Sequence, residues 1–169
     1  MNNLKTLSMK KSSTVFLQVV IVLIGIVALA ILIRFPLTEG RATNLDLFSI
    51  YADPFIIYGY LASIAFFVAL YQAFKLLGYI GQSKVFSLES VKALRNIKYC
   101  ATLLSILIVL AVIYIRISFN GNADDDPAGF IAVSIVATFI SIVIATAAAV
   151  FERTLQSAVE IKSENDLTV

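Results

Sequence analysis

The densest chemistry in the chain is a run of three carboxylates, Asp124, Asp125 and Asp126. Carboxylates in a loop can hold a hard cation or draw in a cationic peptide. A calcium site wants about six or more oxygen ligands, and adjacent acids cannot all point at one ion. The run therefore reads as a solvated loop whose last member, Asp126, caps a helix. Pro127 would take the first helical position, where no amide partner is needed. A second cluster is basic: Lys84, Lys92, Arg95 and Lys98. Such a cluster fixes topology and attracts anionic lipid. The lone Cys100 excludes an internal disulfide. It reads as a small hydrophobe, with juxtamembrane lipidation as the alternative. There is no histidine, which removes His-based triads, HExxH zinc sites and imidazole proton relays. No nucleophile–base pair can be named, so neither an enzyme nor a cofactor is expected.

The elements that carry these groups are long and apolar. The chain is 60% hydrophobic and 14% charged, against roughly 45–50% and about 25% in a soluble domain. The excess lies in four runs, about 14–33, 55–77, 97–118 and 128–151. Each is near the roughly 20 residues a helix needs to cross a bilayer. The expectation is an all-α polytopic membrane protein, a four-helix bundle forming one domain over residues 1–169. Residues 78–96 form a loop and residues 152–169 a tail. The first run is too long for a signal-peptide core, so it reads as an uncleaved span.

Local signals mark the ends. Arg34 and Pro36 are expected to end the first span, and Gly78 and Gly81 to break the second. Ser87 suits an N-cap. Leu88, Val91, Leu94 and Ile97 then recur every three residues, which suits an amphipathic turn or two at the membrane surface before span three. The helix of span four is expected to run on into the tail, because Leu155, Ala158 and Val159 keep helical spacing. Gln18 and Gln72 lie near span ends and read as interhelical hydrogen-bond or interface contacts.

Charge gives the orientation. Ten of the 13 Lys and Arg residues fall on one side if both termini share it, and six of the 11 acids fall on the other. The positive-inside rule then places both termini in the cytoplasm. No Asp, Glu, Lys or Arg stands in the middle of a span, which weakens a proton- or ion-coupled transporter reading. Span four carries small residues every fourth position: Ala137, Ser141, Ala145 and Ala149. Such a seam lets helix backbones approach, either inside the bundle or across a homodimer.

Two stretches resemble a known family. They are KVFSLESVKALRNIKYC, Lys84–Cys100, and the terminal KSENDLTV, Lys162–Val169. With four spans, and Pro127 and Gly129 opening the last one, they resemble the bacterial membrane family called domain of unknown function 2975. The resemblance brings no established biochemical activity with it. It implies a location in the bacterial cytoplasmic membrane and a partner, a small cytoplasmic helix-turn-helix regulator of the Xre/Cro type. The membrane protein would hold or release that regulator without touching nucleic acid itself.

Both stretches fall on the expected cytoplasmic side. The expected contact residues are Phe86, Ser87, Glu89, Lys92 and Arg95, together with Glu164, Asn165, Asp166, Leu167 and Val169. The tail could add as an extended strand to a partner's sheet edge or sit in a pocket. It could instead be a helix stop with Asn165 as the left-handed cap. The competing reading is a small transport or immunity protein of the envelope, with Asp124–Asp126 meeting a peptide or toxic solute.

Overall fold

The structure is a computed structural model that describes residues 2–38, 50–51, 53–118 and 128–167. Four long helices carry the described residues: α1 (Asn2–Thr38), α2 (Pro54–Gly81), α3 (Leu88–Ser118) and α4 (Ala128–Leu167). No strand occurs among the described residues. Each helix contains a stretch long and apolar enough to cross a membrane. The side chains of these stretches are largely exposed, with leucine, isoleucine, valine and phenylalanine turned outward. An outward apolar surface of this extent is matched to lipid rather than water. Contacts group the chain into two units, residues 1–85 and 86–169.

In the first unit α1 and α2 run antiparallel. Asp53 caps α2: its Oδ1 accepts the Phe55 amide at 2.7 Å, and Pro54 occupies the first turn. This is the aspartate–proline device expected at Asp126–Pro127, which lies outside the described residues. At the other end Gly78 does not break α2, which ends at Gly81. Both glycines let α1 come close. A Cβ on Gly81 would sit 3.2 Å from Cγ2 of the buried Thr14, and one on Gly78 would sit 3.5 Å from Nε2 of Gln18. The Gln18 amide donates to the Phe74 carbonyl at 3.3 Å, an interhelical bond as its position implied.

Pro36 does not end α1, which continues to Thr38. A proline has no N–H, so the Leu32 carbonyl four residues earlier loses its usual helical partner. In a membrane such a carbonyl must find another donor. Tyr60 of α2 supplies one, its hydroxyl donating to Leu32 O at 3.2 Å. Tyr51 donates to Ile33 O at 3.3 Å and stacks on Tyr60 with ring centroids 6.5 Å apart. Pro36 itself is fully buried. Tyr60 of α2 thus supplies across the helix pair the donor that Pro36 removes within α1.

In the second unit α3 and α4 also run antiparallel. Only residues 82–87 separate α2 from α3, so the loop expected over 78–96 is mostly helix. Ser83 takes a left-handed backbone, φ 58°, just after α2 ends. Ser87 caps α3 as expected: its hydroxyl accepts the Ser90 amide at 3.3 Å. The segment from Leu88 is not a separate surface turn. It is the first part of α3, continuous with the apolar span. Val91, Leu94 and Ile97 are buried and Leu88 is exposed. The regular spacing therefore marks a packing seam rather than a membrane-lying face.

Candidate functional site

The chemistry of the second unit concentrates where α3 begins. Glu152 of α4 is buried, with a side chain only 7% exposed. Its two oxygens are used separately. Arg95 Nε donates to Oε1 at 2.7 Å, and Lys98 Nζ donates to Oε2 at 2.6 Å. Arg95 and Lys98 are three apart, so both reach the same point across the helix pair. A buried carboxylate with two cations is fully hydrogen-bonded, and removing one member would leave an uncompensated charge. Lys98 Nζ also lies 4.8 Å from the centre of the Tyr99 ring.

Glu152 belongs to a regular seam. Ser134, Thr138, Ser141, Ala145, Ala148, Glu152 and Leu155 alternate in steps of four and three, and all are buried or half-buried. A heptad of this kind keeps one face of a helix turned to its neighbour. The small residues Ala137, Ser141, Ala145 and Ala149 are all half-buried along this side. The hydroxyls there are satisfied within α4: Ser141 donates to Ala137 O at 2.9 Å and Thr138 to Ser134 O at 2.8 Å. The seam thus contributes close approach rather than hydrogen bonds.

The level of the ionic cluster follows from helix rise. Lys98 and Arg116 of α3 are 18 residues apart. At about 1.5 Å per residue that is roughly 27 Å, close to the hydrocarbon thickness of about 30 Å. A bilayer spanned between these two cations would put the Arg95–Glu152–Lys98 group at its edge. Beyond it, α4 outruns α3. With Glu152 facing Arg95 and Lys98, Leu88 lies near the level of Val159. The helix then continues to Leu167, about 12 Å further.

The expected contact residues are distributed around this end. Phe86 is exposed, as are Glu89 and Lys92. Ser87 is half-buried and engaged as the α3 cap. Arg95 is half-exposed and tied to Glu152. Glu164 is exposed, and Asn165, Asp166 and Leu167 continue the helix. Asn165 is thus not a left-handed cap, and the chain is not extended at Asp166 and Leu167. Val169 lies outside the described residues. Sequence reasoning missed Glu152, the residue that ties Arg95 and Lys98 of α3 to α4. Its signal was the spacing from Ser141, Ala145 and Ala148 on the same face.

The comparisons with known proteins agree with a membrane chain. No solved structure matches. The chain is 45% identical over 166 residues to the uncharacterized membrane protein YoaS of Bacillus subtilis (strain 168), covering 95% of this chain and 100% of that one. A family model described as protein of unknown function (DUF2975) matches residues 19–169. That match takes in the first apolar helix from residue 19, the other three whole and both distinctive stretches, and the chain belongs to the DUF2975 family.

Proposed function

We propose that this membrane protein is a non-enzymatic docking platform for a small cytoplasmic helix-turn-helix regulator, with both termini on the cytoplasmic side of the bacterial inner membrane. The observation that carries the reading is the geometry of the α3–α4 end. The exposed Phe86 and Leu88, the exposed Lys92, and the part of α4 that runs past the level of Leu88 lie at one end of one unit. Glu152 ties the two helices just below them. The charge count supports the cytoplasmic placement, since ten of 13 basic residues share that side.

The test uses the full chain in nanodiscs and the helix-turn-helix protein encoded beside it. Co-purification is expected. Deleting Glu164–Val169 should abolish it while leaving helix content intact. A regulator that does not bind the intact chain, or binds the truncated chain equally well, overturns the reading.

A further inference from the structure

The lipid-facing side of α3 can be read directly from exposure. Tyr99, Leu103, Ile106, Leu110, Ile113 and Ile117 are all exposed. At about 100° per residue they lie within roughly 40° of one line along the helix. Continued toward the start of α3, the same line passes through Arg95, Lys92 and Leu88, all exposed. The side of α3 that meets lipid therefore becomes cationic beyond Tyr99.

With Tyr99 at the hydrocarbon edge, Arg95 stands about 6 Å further out, inside a headgroup layer of roughly 5–7 Å. Lys92, about 10 Å out, stands just past that layer, within the range over which a cation is attracted to an anionic surface. Tyr99 is an aromatic with a polar tip, suited to that boundary. Glu152 engages Arg95 through Nε, and that bond does not use the two terminal amino groups of a half-exposed side chain. A guanidinium held on one edge presents its other donors in a fixed direction, which suits a phosphate. Lys92, Arg95 and Lys98 carry three positive charges against the one of Glu152. Glu89 is one turn before Lys92 and about 80° from the Tyr99 line, while the exposed Arg153 adds a cation next to Glu152.

We propose that Lys92 and Arg95 form a binding site for the phosphate of an anionic phospholipid, with its acyl chains along the Leu103–Ile117 stripe. The occupant is a lipid of the leaflet at that end. The apolar stripe and the cationic pair are collinear, and a free anion would use only the pair.

The test is native mass spectrometry of the full chain in detergent carrying phosphatidylglycerol or phosphatidylcholine. Phosphatidylglycerol adducts are expected in excess. Lys92→Gln should reduce them roughly fivefold, about the effect of one cation near a membrane surface. Lys92→Arg should retain them. Lys162→Gln, a lysine well beyond the headgroup level, should leave them unchanged. Arg95→Gln should match Lys92→Gln, but Lys92 contacts no part of the Glu152 cluster, so its result decides if Arg95→Gln fails to fold. Equal adducts from the two lipids overturn the site, as does a Lys92→Gln variant that binds like the parent. Displacement of the lipid by millimolar inorganic phosphate would show a soluble-anion site and also overturn it.

Discussion

Replacing Tyr60 with phenylalanine isolates the role of one hydroxyl. That hydroxyl donates to Leu32 O at 3.2 Å, and the carbonyl lacks its helical partner because residue 36 is proline. A hydrogen bond contributes a net of about 0.5–1.5 kcal/mol, and interhelical bonds in membranes average about 0.6 with a maximum near 1.7 kcal/mol. The released carbonyl puts this bond in the upper part of that range, at about 1–1.5 kcal/mol. Pro36→Ala changes the outcome. An alanine at position 36 brings back an N–H for Leu32, so Tyr60→Phe in that background should cost no more than about 0.5 kcal/mol. The coupling between the two substitutions should therefore be about 1 kcal/mol. Pro36 is buried, so Pro36→Ala also loses packing, but that loss cancels in the cycle. The assay is equilibrium unfolding in mixed detergent micelles, followed by far-ultraviolet circular dichroism for the parent, both single variants and the double variant. An equal cost for Tyr60→Phe in both backgrounds would refute the link between the proline and the tyrosine.

Three further outcomes follow from the packing. Glu152→Gln should lower the thermal midpoint more than Lys98→Gln does, because it removes the charge that both cations share and turns one of the two acceptor oxygens into a donor; a smaller effect in the same melts would contradict the cluster. Gly81→Ala should gain little on its own, since the new Cβ meets Thr14 Cγ2 at 3.2 Å. Combined with Thr14→Ser, which removes that methyl, it should stabilise by about 0.5–1 kcal/mol in unfolding titrations, and an equal result in both backgrounds would contradict the close approach. Cysteines at Ser141 and Ile108, placed in a Cys100→Ser background, should join within one chain under mild oxidation. Their level follows from the antiparallel register that sets Glu152 opposite Arg95 and Lys98. Predominant dimer on a non-reducing gel would put the seam of α4 at an interface between copies instead.

The four spans, the extension of α4 and the Ser87 cap were legible in the sequence because each depends on residues near one another in the chain. Hydrophobic runs, helical spacing and a serine before an apolar repeat are local signals. Pro36 was misread because its remedy is not local. Tyr60 lies 24 residues on, across a segment with no distinguishing pattern. Glu152 was missed for the same reason, being 57 residues from Arg95. The glycines near the end of α2 were read as breakers, although they serve close packing against Thr14 and Gln18. A glycine signals both conformational freedom and lack of bulk, and the sequence alone does not say which is used.

The continuity of α4 has a mechanical meaning. It runs 40 residues, Ala128–Leu167, about 60 Å at helical rise. It contains no proline, and its one glycine, Gly129, is at the start. Nothing in it acts as a hinge, so it behaves as a stiff shaft. Turning the membrane-embedded part about its axis turns the residues beyond the headgroups through nearly the same angle. A tilt is enlarged with distance, as at the tip of a pointer. A change in bilayer thickness or lateral pressure that tips α4 by about 5° about the level of Glu152 thus displaces Leu167, roughly 22 Å further on, by about 2 Å. The Glu152 contacts to Arg95 and Lys98 sit near the fulcrum, where such motion is smallest.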